Sequence, residues 1–276
     1  MNKTIKILLL ALPAFAVLVM FFLVPLGSVL VEPFLDKGEA FLGLWSDPLF
    51  LKGLKGSTLL ALTAGFLSVL VGVPVALRLS TMKEKARLLA MFCISLPLTF
   101  SGLIVAYGFI LCFGRAGFIT LLLAEVGVSP DWVAGLVYSP VGLALAYCYY
   151  LIPRVVLLLL PALTNFDRSL LVAANSMGAT RLRAFFDVLL PELMPTIGVS
   201  FCLVAAVAFG AYGTALALVG SQVNILPLLL YSSISDTGTN FSQAAAISLV
   251  LLGACSMIMG VAEVIAMRRE QRLKRA

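Results

Sequence analysis

The sequence predicts an all-α membrane protein of about six transmembrane helices, and three observations carry that prediction. Of its 276 residues, 62% are apolar and 12% are charged, and the mean hydropathy is +1.11, far from the composition of a soluble domain. Apolar runs of roughly 20 residues or more, the length needed to cross a hydrocarbon core as a helix, recur six times. The basic residues fall on alternate connections, which orients the runs.

The first run, Ile7 to Val31, follows Lys3 and Lys6. Ala14-Phe15-Ala16 offers a small-x-small site and hence a rival reading as a cleaved signal peptide, but the apolar run continues well past it. Glu32 to Gly56 is a polar connection with room for one interfacial helix. Ser57 to Leu77 is the second span, and its Gly65, Gly72 and Pro74 suit close helix approach in lipid. After the basic loop Arg78 to Arg87, a third span runs from Leu88 to Phe113 and is broken at Pro97.

Gly114 to Trp132 is a connection with a short interfacial helix over Phe118 to Val126, and Trp132 suits a headgroup boundary. Val133 to Leu160 is the fourth span, either tilted or preceded by an interfacial stretch. A polar-punctuated loop follows. Thr196 to Val219 is the fifth span, Gly220 to Gln243 an outer connection, and Ala244 to Met267 the sixth. With the N-terminus inside, fourteen Lys and Arg fall on inner segments. Lys37, Lys52, Lys55 and Arg115 fall outside, and Arg154 is unassigned, which completes the nineteen. This asymmetry predicts cytoplasmic termini and a cytoplasmic polar loop. The basic residues are then orientation signals rather than a nucleic-acid footprint, and the C-terminal cluster Arg268 to Arg275 has anionic lipid within reach.

Within the loop, Asp167 is an N-cap for a short helix reaching Met177, and Gly178 stands where a left-handed cap ends it. Thr180 caps a second helix, in which Leu182, Phe185, Phe186 and Leu189 share one face at i, i+3, i+4 and i+7. Arg181 and Arg183 project elsewhere. Pro191 and Pro195 allow the chain to be redirected before the next span. Taken alone, the pattern also suits a helical hairpin lying on the membrane surface.

The spacing of this loop resembles the Glu-Ala-Ala loop of importer permeases of the ATP-binding cassette (ABC) class, a binding-protein-dependent inner-membrane component family. Val172-Ala173-Ala174, Gly178 and Val188-Leu189-Leu190-Pro191 match the family's spacing throughout; Val172 replaces the leading Glu, so a contact made by that Glu is not transferred. The resemblance covers roughly 220 residues, a core at 57–276, leaving 1–56 as a first helix and extracytoplasmic loop. It implies a non-catalytic subunit in a bacterial inner membrane. Its implied partners are a second permease chain, two cytoplasmic ATPases that use ATP and Mg, and an extracytoplasmic solute-binding protein. The ATPase-docking residues it implies are Ala173, Ala174, Gly178, Arg181, Arg183, Leu190 and Pro191. The chain itself has no Gly-rich phosphate loop, and no cofactor or metal is expected on it.

Candidate path residues are Ser95, Thr99 and Ser101 around the Pro97 break, with Tyr107, Tyr147, Tyr149 and Tyr150, and Gln222 and Asn224 near the outer end of the fifth span. Broken helices with hydroxyls line cavities, but hydroxyls also satisfy their own backbone. Arg154 and Glu263, near inner ends, are expected to snorkel or to pair. The region Phe209 to Thr214 together with Leu226-Pro227-Leu228 is similar to relatives handling polyamines, phosphonates, thiamine, iron or small oxyanions. An ion-coupled secondary transporter is the rival reading, weakened by the scarcity of ionisable residues deep in the spans; a non-transporting scaffold leaves the loop unexplained. With no histidine, His-based metal sites and Ser-His-Asp triads are excluded. The five cysteines lie in apolar runs without paired spacing and read as core residues.

Overall fold

A computed structural model describes residues 3–35, 38–220, 223–235 and 240–273, and every element among them is helical. The first helix runs as α1 (Lys3–Leu18), a π turn (Val19–Leu23) and α2 (Val24–Leu35). Then come α3 (Glu39–Leu44), α4 (Pro48–Ser80), α5 (Glu84–Ser95), a 3₁₀ turn (Leu96–Thr99), α6 (Gly102–Phe113), α7 (Phe118–Glu125), α8 (Pro130–Val137) and α9 (Pro140–Thr164). The chain ends with α10 (Ser169–Ser176), α11 (Arg181–Ala184), a π turn (Phe185–Leu189), α12 (Leu190–Phe209), α13 (Gly213–Leu218), α14 (Leu226–Ser235) and α15 (Phe241–Leu273). Among the described residues, six stretches are long and apolar enough to cross a membrane: Ala11–Leu35, Pro48–Ser80, Gly102–Glu125, Pro140–Thr164, Arg181–Phe209 and Phe241–Met267.

The centre is made by α4, α9 and α12, with α15 packed along α12. Small residues set the approach. A Cβ placed on Gly72 would come within 2.6 Å of Val155 Cγ1, and one on Gly65 within 3.2 Å of Phe201, so α9 and α12 close on α4 at positions without a side chain. Tyr147, Leu143, Leu151, Val155 and Val156 of α9 are fully buried. By contrast, the Ala11–Leu35 stretch buries none of its most apolar window, and Phe21, Met20 and Phe15 stay exposed, as suits a helix wetted by lipid.

Several boundaries differ from the sequence expectation, and each has a local cause. The second span begins at Pro48 rather than Ser57, because Asp47 Oδ1 accepts the Leu49 amide at 2.8 Å and Pro48 occupies the first helical turn. The third apolar stretch lies at Gly102–Glu125, while 88–113 is split into α5 and α6 by the 3₁₀ turn beginning at Leu96 and Pro97. The fourth takes its second form: α8 is separate, and α9 starts at Pro140 with Ser139 Oγ accepting from Val141 and Gly142. The fifth reverses an expectation. Pro191 and Pro195 do not redirect the chain, since the π turn at Phe185–Leu189 closes onto Leu190, whose amide donates to Phe185, and α12 runs on through both prolines. That span also ends at Phe209, where the chain unwinds over Gly210 to Tyr212 before α13.

Candidate functional site

The loop between α9 and α12 is built by three caps. Asp167 Oδ1 accepts the Ser169 amide at 2.9 Å, fixing the first turn of α10. That hydrogen bond, with a further one from the Ser169 hydroxyl, holds the exposed Asp167 carboxyl below the usual carboxylate range. At the other end Gly178 has φ +87°, its amide donates to Asn175 O at 3.0 Å, and Ala179 N donates to Ala174 O at 3.1 Å. This pair of bonds is a Schellman closure, which needs a residue tolerant of the left-handed region. Thr180 Oγ1 then accepts the Arg183 amide at 3.3 Å and starts α11.

The result is a bent unit exposed along most of its length. Val172, Ala173 and Asn175 of α10 are exposed, as is Met177 at its C-terminal cap, at 87%, while Ala174 is half-buried. Between α10 and the following helix lies a groove of about 390 Å³, with Ala173, Ala174, Met177 and Gly178 on one wall and Arg183 and Asp187 on the other. Arg181 is exposed, and Arg183 pairs with Asp187 at 3.7 Å on a wetted surface, where such a pair adds little stability. Leu190 is half-buried and Pro191 exposed at the root of α12.

One expectation fails here. Leu182, Phe185, Phe186 and Leu189 do not present one common face. Leu182 is 72% and Phe186 58% exposed, whereas Phe185 and Leu189 are half-buried and Ala184 is buried. The π turn starting at Phe185 inserts an extra residue into the helical repeat and rotates the face, which periodicity at 3.6 does not register. An unexpected tie adds to the loop: Arg168 Nη2 donates at 3.0 Å to the carbonyl of Ser80, the last residue of α4. A guanidinium at a helix C-terminus meets both a free carbonyl and the negative end of the dipole. The 88-residue separation hides that contact from any local pattern.

The path candidates are not brought together into one cluster. Ser95 Oγ donates to Phe92 O, Thr99 Oγ1 donates to Leu96 O, and Ser101 Oγ accepts the Ile104 amide as the cap of α6. Tyr107 and Tyr149 are exposed. Tyr147 is fully buried, its hydroxyl donating at 2.8 Å to Ala211 O. Asn224 is exposed beside α4, where its carbonyl stands directly over Gly56. Gln222 lies outside the described residues. Arg154 and Glu263 do not pair: the ion pairs among the described residues are Arg115 with Asp131 and Arg183 with Asp187, and Glu263 is exposed. No group of three His, Cys, Asp or Glu able to hold a metal occurs among the described residues.

Residues 68–269 match the family described as binding-protein-dependent transport system inner membrane component. The chain is similar to the chloroplastic Sulfate permease 2 of Chlamydomonas reinhardtii, with 30% identity over 233 residues, 83% of this chain and 62% of that protein. It therefore spans less than two thirds of that relative's length. It is 28% identical over 252 residues to the spermidine/putrescine transport system permease protein PotB of Haemophilus influenzae, covering 87% of both chains. In fold it is similar to a chain in the crystal structure of a bacterial alginate ABC transporter in complex with an alginate pentasaccharide-bound periplasmic protein. The TM-score is 0.74 at 19% identity, covering 96% of each chain. With six apolar helices and a family match over most of its length, the chain belongs to the inner-membrane permease family of binding-protein-dependent transport systems.

Proposed function

We propose that this chain forms part of the transmembrane path for a small solute delivered by an extracytoplasmic binding protein, with the work done by ATP hydrolysis in separate ATPase subunits. In this reading both termini and the loop around Gly178 are cytoplasmic, and a second permease chain, identical or different, completes the path. ATP and Mg are bound by the two ATPase partners rather than by this chain. The solute class is drawn from relatives: polyamines, phosphonates, thiamine, iron or small oxyanions. Named relatives support two of these, a sulfate permease and a polyamine permease.

The observation that carries the reading is the exposed, rigidly capped unit over residues 167 to 191. A short helix closed by a Schellman cap, with Met177 standing out at 87% exposure, is the shape of a knob that seats in a cleft of a partner. Because α11 continues through the π turn into α12, a push on the knob moves a whole span as one body.

The test is isolation of the tagged chain from its native membrane, with identification of what co-elutes. An ABC ATPase is expected, and a cysteine introduced at Ser176 is expected to label only from the cytoplasmic face and to crosslink to that ATPase. Labelling of Ser176→Cys from the outer face, or uphill solute movement by the chain without an ATPase, overturns the reading.

A further inference from the structure

We propose that Arg154 binds an oxyanion inside the transmembrane path, through its guanidinium fork, so that the solute of this permease is an anion or carries one; this rests on the permease reading above. The argument begins with depth. Arg154 lies ten residues before the end of the 25-residue helix α9, which at 1.5 Å per residue is about 15 Å from Thr164. A snorkelling side chain would reach toward that nearer end. This one reaches the other way: its guanidinium carbon is 5.7 Å from the ring centroid of Tyr150, one turn back toward Pro140. The charge is thus carried toward the middle of the span, following the N-terminal tilt of helical side chains.

The charge there is incompletely matched. Arg154 Nη1 is buried and has no hydrogen-bond acceptor, and neither ion pair among the described residues includes it. The Tyr150 ring attracts the charge at 5.7 Å but supplies Nη1 with no hydrogen-bond acceptor. An ionisable group held at such depth marks a solute or ion pathway.

A second, independent observation places irregular backbone against the same face of α9, at Tyr147, two turns from Arg154. Tyr147, Tyr150 and Arg154 stand at i, i+3 and i+7 on one face of α9. On that face the Tyr147 hydroxyl holds the Ala211 carbonyl in the unwound stretch between α12 and α13. Thr214 of α13 in turn donates at 3.0 Å to Gly102 O, at the head of α6 just past the Leu96–Thr99 break. Two interrupted helices therefore meet next to this face of α9. Broken helices at membrane depth occur where the freed groups are buried in protein or line a cavity, and transporters place solute sites at such breaks.

The chemistry selects among solutes. A planar fork of N–H donors fits two oxygens of a sulfate, phosphate, phosphonate or carboxylate at once. A polyamine would meet a fixed positive charge that no ion pair among the described residues offsets.

The experiment uses the assembled complex in phosphatidylcholine nanodiscs, with thermal unfolding followed against sulfate, inorganic phosphate and methylphosphonate at constant ionic strength. Chloride and spermidine serve as controls. A saturable upward shift is expected with at least one oxyanion and none with spermidine. Arg154→Met is expected to abolish the shift while still co-purifying with its ATPase. Arg154→Lys, which keeps charge and stem but not the fork and is the safer variant to fold, is expected to weaken binding about tenfold. No oxyanion response beyond chloride in the wild type, or equal responses in wild type and either variant, overturns the proposal. Native mass spectrometry of complexes in phosphatidylglycerol discs separates the sources: a phosphatidylglycerol retained by wild type and lost in Arg154→Met identifies a lipid phosphate and overturns the solute assignment. Loss of ATPase co-elution by the wild type itself would instead sink the permease reading, so the two failures are distinguishable.

Discussion

At residue 178 the backbone, not the space around it, decides what is tolerated. Its φ is +87°, and a Cβ there would meet nothing within 4 Å. A substitution therefore costs only the left-handed strain, on the order of 1–2 kcal/mol for an ordinary residue and more for a β-branched one. Gly178→Val is expected to insert normally but to melt the end of α10 and to reduce ATPase recovery in pull-downs several-fold, while Gly178→Asn, tolerant of that region, keeps most of it. Wild-type ATPase recovery and full transport by Gly178→Val would show that the cap is dispensable. Asp167 is the other decisive residue. Its carboxyl is held below its ordinary value by the Ser169 amide, so its cap is fully present above the unfolded pKa and is lost as pH falls through the depressed folded value. Amide protection factors in α10, with the intrinsic pH dependence of exchange divided out, should accordingly be insensitive between pH 7 and 5 and fall only below about pH 4, the ordinary aspartate range. Asp167→Asn should remove that pH dependence.

Elements meet in this fold through contacts that sequence periodicity does not encode, and two of them bear on stability. Ser57, 2% exposed inside α4, accepts the Leu226 amide at 2.9 Å and so caps α14 from another helix. Ser57→Ala leaves that amide buried without a partner, at a cost of about 1–3 kcal/mol. Its signature would be a lowered midpoint with faster exchange confined to the start of α14. At Gly72 a Cβ would come within 2.6 Å of Val155 Cγ1 and 2.9 Å of Val155 Cβ, and valine has little rotamer freedom to yield. Gly72→Ala is expected to wedge α4 from α9 and lose about 1–3 kcal/mol of stability, with Gly72→Ala/Val155→Ala recovering part of it. Legibility divides along the same line. Six apolar runs, the capped loop and the left-handed Gly178 are local patterns, and they were readable. Asp47-Pro48 and Ser139-Pro140 were equally local helix starts, yet the long apolar runs around them pulled the expected boundaries elsewhere. Ser57 with Leu226, Arg168 with Ser80, and the π turn at Phe185 depend on distant partners or on a change of helical repeat, which one sequence does not display.

Across the whole molecule the loop around Gly178 is tied to the bundle at three places. Two are covalent: the loop follows α9 directly, and α11 runs through the π turn into α12, which packs against α4, α9 and α15. The third is the bond from Arg168 to the Ser80 carbonyl, which ties the near end of the loop to the end of α4. A displacement of α10 therefore acts on α12 and α4 together, and those two helices are already in contact, so the unit moves as a block rather than as a hinge at either root. The bond is exposed, so its loss should cost little stability, within about 1 kcal/mol. Its effect should appear in coupling instead. Arg168→Ala is expected to assemble with its ATPase at wild-type yield but to show a severalfold lower ratio of solute moved to ATP hydrolysed in proteoliposomes. Arg168→Lys, which still reaches a helix-terminal carbonyl, should restore much of that ratio. An unchanged ratio in Arg168→Ala would mean that the covalent roots in α9 and α12 carry the motion, and the contact with Ser80 would then be a surface cap and nothing more.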